Sequence, residues 1–153
     1  MIRRVRTRSH PDSLRSRGQA LVEFAFVAPI FFLLLFAILD FGRYVYYVQI
    51  LNNAAREGAR YAIVHGSGSF VPTGPGSDDP TIAAIVKNYA TGVVGTGATF
   101  SIHSIWGDGG AGATNDRGQK VKVTVTYQFQ SMIPVVPIPA ITINGESTLV
   151  INH

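Results

Sequence analysis

Hydrophobic and polar positions along this chain follow three successive patterns, and each change of pattern marks a boundary. Between Glu23 and Asp40 lie sixteen uncharged residues, FAFVAPIFFLLLFAIL, and in the twenty residues Ala20–Leu39 Glu23 is the sole charge. At about 1.5 Å per residue a helix of that length covers the roughly 30 Å hydrocarbon thickness of a bilayer. From Phe41 to His65 the pattern changes. Phe41, Tyr44, Val45, Val48, Leu51, Ala55, Ala59 and Ala62 recur at spacings of three and four, while Arg43, Gln49, Asn53, Arg56, Glu57 and Arg60 fall elsewhere. That is one apolar stripe on a helix, with Asn52 as its single blemish, and it predicts that the spanning helix runs on as a stem until Gly66 stops it. Pro29 removes one backbone donor and crowds the preceding turn, which predicts a kink or local unwinding near Ala25–Pro29.

Residues 66–80, GSGSFVPTGPGSDDP, read as a surface loop that ends in an N-cap, Asp79, with Pro80 at the first helical position. Ile82, Ile85, Val86 and Tyr89 then form the inner face of a short helix ending at Gly92. ATFSIHSIW, residues 98–106, partly alternates and is a strand; GDGGAGATNDRG is a loop. The clearest strand follows, with Val121, Val123, Val125, Tyr127 and Phe129 on one face and Lys120, Lys122, Thr124, Thr126 and Gln128 on the other. MIPVVPIPA has three prolines without amide donors and is expected to be an extended connection. Ile141, Ile143, Leu149 and Ile151 are in phase on a last strand, in which Asn144-Gly145 is expected to bulge rather than turn.

Ala54, Ala55, Gly58, Ala59 and Ala62 keep one side of the stem thin, so that either a sheet of the same chain or a second stem can approach closely. The 88 residues from 66 onward favour the sheet. A unit of that size buries only about 60–70% of its unfolded surface and gains from the extra apolar contact a helix supplies.

The chain has 153 residues, 46% hydrophobic, 14% charged and no cysteine, which excludes most large enzyme folds, any disulfide framework and any thiol chemistry. Its net charge of +4 is concentrated at one end. Residues 1–18 hold Arg3, Arg4, Arg6, Arg8, Arg15 and Arg17 against Asp12, whereas the remainder holds seven basic and eight acidic side chains. A basic head before an apolar run is the positive-inside pattern, which puts the head in the cytoplasm and the rest outside; it is not a nucleic-acid surface. A cleaved secretory signal fits poorly, because Asp40, Phe41, Gly42 and Arg43 follow Leu39 in place of a small-residue cleavage site. Tyr44, Tyr46 and Tyr47 fall where an outer aromatic belt is expected, or else in a core.

Glu23 is costly for a plain anchor, since a carboxylate in a spanning helix loses about 2.5–3.5 kcal/mol at the centre and less near the interface. Two readings stand. The carboxylate reaches water at the interface, or the chain is cut after Gly18 and the new amine on Gln19 lies one turn away, at i, i+4.

The stretch RGQALVEFAFVAPIFFLLLFAILDFGR followed by NNAAREGARYA resembles the start of TadE-like proteins, the pseudopilins of tight-adherence (Flp-type) pilus assembly. The likeness is close over residues 17–65 and looser over VKVTVTYQF and the final strand. It implies that a prepilin peptidase removes a basic leader between Gly18 and Gln19, leaving Glu23 fifth in the mature chain; because an unpaired carboxylate in lipid favours a neighbour's amine over hydrocarbon, Glu23, with Phe24 beside it, is expected to set register during assembly. One departure is that the mature chain begins with Gln19 where many type IV pilins begin with phenylalanine, often methylated.

The resemblance completes an α+β expectation with four parts: a cytoplasmic leader at 1–18, a transmembrane helix at 19–40, its extracytoplasmic continuation at 41–65, and a small pilin-like head at 66–153. The head combines a short helix with an antiparallel sheet of about three strands. The stem packs through Ala55, Gly58, Ala59 and Ala62. The implied role is that of a minor pseudopilin supporting adhesion, in the inner membrane or in the pilus itself. Its partners would be the prepilin peptidase, other Tad pilins, the assembly platform and lipid. No catalytic, cofactor or metal site is expected: the histidines at 10, 65, 103 and 153 are scattered, Asp78-Asp79 and the Asp108–Asp116 loop read as caps and turns, and GDGGAG lacks the context of a phosphate loop. The alternative is a permanently anchored protein whose head binds an extracellular ligand or polysaccharide, the stem being a tether.

Overall fold

The computed structural model describes residues 12–94, 100–109, 112–132 and 139–152. The order of elements is α1 (Asp12–Val64), α2 (Pro80–Tyr89), α3 (Thr91–Val94), β1 (Phe100–Trp106), β2 (Lys120–Phe129) and β3 (Ile141–Val150). The fold is α+β. By its contacts the chain divides into two units, one up to Leu39 and one from Asp40 onward.

In the first unit α1 is already helical at Asp12, and it runs through Ala25–Pro29 with no unwound turn. The sequence from Gly18 provides the one helix among the described residues that is long and apolar enough to cross a membrane, and none of its most apolar window is buried by the chain itself. Leu21, Phe24, Phe26, Ile30 and Leu34 are all exposed.

The second unit is built on a sheet of order β1-β2-β3, antiparallel throughout. The alternation in β2 is realised as expected: Val121, Val123, Val125, Tyr127 and Phe129 are buried, and the lysine, threonine and glutamine face lies toward solvent. The buried face meets α1, whose Leu51, Ala54, Ala55, Ala59 and Ala62 are wholly inaccessible, and α2, which contributes Ile82 and Val86. The inner face of α2 differs in one residue from the spacing argument. Tyr89 is exposed, and Ala90 and Val93 beyond the helix end are buried instead.

Three further expectations are corrected. The apolar stripe of α1 begins differently, because Phe41 is 69% exposed while Asp40 and Tyr47 face inward. The aromatic belt dissolves: Tyr47 stacks edge-on against Tyr127 and Phe129 and Tyr44 packs on Phe129, so only Tyr46 of the three is turned out. Asn144-Gly145 neither bulges nor turns, since β2 and β3 pair one-to-one from Lys120↔Val150 to Phe129↔Ile141. The expected extended connection at 132–140 lies mostly outside the described residues, which omit 133–138.

Gly145 has a different purpose. It is opposite Val125 on the inner face, and a Cβ added there would stand 2.4 Å from the Leu51 carbonyl carbon and 2.7 Å from the Asn52 amide nitrogen of α1. Helix backbone therefore rests directly on strand backbone. Asn52 remains satisfied beside this contact because its side-chain amide donates to the Val48 carbonyl at 2.9 Å. Gly58 makes the equivalent gap for α2, where an added Cβ would meet Val86 Cγ2 at 2.6 Å. Replacing Gly145 with alanine is expected to destabilise the second unit by about 1–3 kcal/mol through overpacking against backbone that cannot yield. A urea midpoint of the purified variant equal to that of the parent would exclude the contact.

Candidate functional site

The residues to which the sequence points for processing and assembly lie together near the start of α1. Gly18, Gln19, Glu23 and Phe24 are exposed, and an added Cβ on Gly18 would meet nothing within 4 Å. No packing within the chain requires glycine at that position, while its backbone freedom weakens a helix by about 1 kcal/mol relative to alanine. The Gln19 side-chain amide donates to Glu23 Oε1 at 3.2 Å across one turn. A group carried by residue 19 thus already reaches the one carboxylate of the apolar segment.

The second set, Ala55, Gly58, Ala59 and Ala62, is buried in the head, where α1 meets α2 and the sheet. This thin side of the stem is covered by the chain's own elements.

A third arrangement was not apparent from sequence. Asp40, 9% exposed, accepts from Arg43 Nη1 at 3.0 Å, from the Ser131 hydroxyl, and from the Met132 amide at 3.0 and 3.3 Å. Arg43 lies over the rings of Tyr47 and Phe129, 5.7 and 5.4 Å from their centroids. A carboxylate so placed needs both a counter-charge and donors, and this one has them. The result ties the chain leaving β2 to the turn of α1 where the second unit begins. Only the isolated charge pair at i, i+3 was readable in sequence; the partners at 131 and 132 are a matter of tertiary structure.

The head also carries an open groove of about 590 Å³ beside β1, lined in part by Pro75, Ser77, Asp78, His103, Ile105 and Asp108. His103 Nδ1 lies 3.0 Å from Asp78 Oδ1, both half exposed. His65 does not join them: its Nδ1 lies 2.9 Å from the Tyr61 carbonyl and its ring stacks on Tyr61. The two acidic loops supply caps and ties. Asp79 caps α2 through the Thr81 and Ile82 amides and also accepts from the Gly74 amide at 2.9 Å, and Asp116 accepts from the Ser67 hydroxyl at 2.8 Å. Among the described residues no group of three His, Asp or Glu could hold a metal ion.

Fold and site together define, among the described residues, one helix of membrane-spanning length and composition whose later turns form part of the core of a small α+β head. Residues 18–60 match the family described as TadE-like protein. That TadE-like segment, with Gly18, Gln19, Glu23, Phe24, Ala55, Gly58 and Ala59 inside the match and Ala62 just beyond it, supports an association with Tad pili in general. No curated protein and no solved structure matches the chain.

The Asp79 cap has a pH signature. Burial pushes its carboxyl up, but the amides of Gly74, Ile82 and Thr81 and the Thr81 hydroxyl outweigh this and hold it below the usual carboxylate value. The folded state therefore binds this proton less readily than the unfolded chain. The stabilisation is complete above about pH 4 and is lost as pH falls through the lowered value. Replacing Asp79 with alanine is expected to cost about 1 kcal/mol at neutral pH. The gap between parent and variant urea midpoints should narrow as pH falls below about 4, and a gap that held constant through the acid range would contradict the cap.

Proposed function

We propose that this chain is a minor pseudopilin of Flp/Tad-type pilus assembly. A prepilin peptidase cuts it between Gly18 and Gln19, and it acts by helix–helix association in the cytoplasmic membrane in support of surface adhesion. The arginine-rich head is cytoplasmic and the α+β unit extracytoplasmic, as the charge asymmetry favours. The role is assembly, not catalysis.

The observation that carries this reading is the contact between residue 19 and Glu23. In the uncut chain the group seen at the carboxylate among the described residues is a neutral amide, at 3.2 Å. After the cut, residue 19 bears an ammonium on its backbone, one turn from the same carboxylate, and an opposite-charge pair replaces a weak hydrogen bond. Exchanging that partner for a neighbour's Gln19 ammonium keeps Glu23 paired in lipid and fixes the axial register of the two helices. The open surroundings of Gly18 are consistent with a residue selected for fit in a peptidase and for a locally weakened helix.

N-terminal sequencing of membrane-purified protein is expected to begin at Gln19, and replacing Gly18 with a bulky residue to leave a chain heavier by the leader. A native chain that keeps its arginine-rich start would overturn the proposal. Replacing Glu23 with alanine is expected to leave the cut intact while abolishing co-purification with pilus components; undiminished co-purification would count against the register role.

The groove beside β1 favours a second reading, a permanently anchored head that binds an extracellular ligand or polysaccharide. That reading expects the initiator methionine or Ile2 as the first residue of the mature protein.

A further inference from the structure

The Asp40 cluster has a consequence for the surface around it. Asp40 immediately follows the last residue of the apolar run, so it marks the point at which α1 leaves hydrocarbon under the single-pass reading, on which this inference rests. The Met132 amide is bonded to that carboxylate. Ile141 opens β3 opposite Phe129, whose ring lies under Arg43. Phe41 is the next residue along the helix. Three apolar side chains are therefore held at the level of Asp40, and all three are exposed: Phe41 and Met132 are each 69% exposed, and Ile141, at the open end of the sheet's inner face, is 43% exposed. Arg43 is paired with Asp40 at 3.0 Å, so neither charge of this cluster is left uncompensated there. The eight residues joining Met132 to Ile141 have no charged or polar side chain in sequence.

We propose that Phe41, Met132 and Ile141 form a lipid-contacting rim that seats the head on the surface of the membrane from which its own helix emerges. The occupant is the bilayer because of where the rim is fixed. Apolar side chains at the end of a spanning segment meet the boundary between headgroups and acyl chains, where a depth of about 5–10 Å suffices to bury them. Val71, another exposed apolar residue of the head, lacks this placement. It is 63% exposed but follows the other end of α1, near Thr73, whose amide donates to the His65 carbonyl. From Asp40 to Val64 the helix rises by about 36 Å, at 1.5 Å per residue, so Val71 is well away from the rim. Seating the head would restrict its tilt and so present the remaining head surface to neighbouring subunits in a defined orientation.

The absence of native cysteine allows a direct test on the full chain reconstituted in vesicles of phosphatidylethanolamine and phosphatidylglycerol. Single cysteines replace Met132, Ile141, Val71 or Leu34, each is labelled with an environment-sensitive fluorophore, and nitroxide is carried on the lipid at shallow or deep positions. The labels at 132 and 141 are expected to lose about half or more of their emission to shallow nitroxide, with a blue shift on reconstitution, as for groups at the headgroup boundary. The label at 34 should respond to deep nitroxide and that at 71 to neither. Unquenched labels at 132 and 141 beside a quenched label at 34 overturn the rim alone. An unquenched label at 34 overturns the single-pass reading and the rim with it.

Discussion

The head depends on a contact between two backbones: the turn of α1 at Leu51–Asn52 against the strand at Gly145. Helices and sheets ordinarily pack through interdigitated side chains at about 10 Å separation. Here alanines at 54, 55, 59 and 62 and glycines at 58 and 145 remove that layer, letting the helix settle onto the sheet and α2 settle onto the helix. Dispersion falls off so steeply with distance that a gap of a methyl group would forfeit much of the gain. The arrangement also explains how so small a unit has a core. Ile82, Val86 and Val123 are fully inaccessible where α1 closes over them at Gly58.

Asp40 addresses a different problem, that of holding the β2–β3 connection beside a helix at the point where the two units divide. Hydrophobic burial is non-directional and cannot specify which residue of a connection lies there. A carboxylate with one guanidinium, one hydroxyl and one amide around it does so, because moving the connection by a residue would strand a buried charge. Arg43 serves two sides, pairing with Asp40 and covering Tyr47 and Phe129, so the polar cluster is continuous with the aromatic end of the core. This is a polar device for register within the fold, in the same sense that Glu23 is proposed to set register between chains.

Periodic features were legible in the sequence because each is local. The alternation of β2, the Asp79-Pro80 start of α2 and the thin side of the stem need only residue spacing, and the structure places them accordingly. The misplacements occur where a long-range partner overrides a local pattern. Phe41 continues the apolar spacing of the stem yet faces out, because Asp40, with partners 91 and 92 residues away, takes the inward direction in that turn. Tyr44 and Tyr47 had the composition of an interfacial belt, but Tyr127 and Phe129 from β2 offered them ring contacts. Gly145 suggested a bulge because glycine in a strand has two uses, irregular backbone and close approach, and sequence alone does not separate them. The residues proposed for processing and register, Gly18, Gln19, Glu23 and Phe24, lie within seven consecutive positions, so that reading too rests on local spacing.

The way α1 spends its surfaces constrains how a neighbour can bind. In the head, the thin side that would suit a second stem is already occupied by Val86, Ile82 and Val123 around Gly58 and by the backbone contact at Gly145. What remains of that part of the helix is largely polar, through Gln49, Asn53, Arg56 and Arg60. Before Asp40 the situation is reversed, with the apolar side chains unshielded by the chain itself. In lipid that exposure carries no hydrophobic drive toward another helix, since acyl chains solvate leucine and phenylalanine as well as a neighbour does. Specific association there has to come from close packing at small residues such as Ala25 and Ala28 and from a polar group that lipid cannot satisfy. Within Ala20–Leu39 only Glu23 carries a charge, which is why it is the residue proposed to set where along the segment two helices meet.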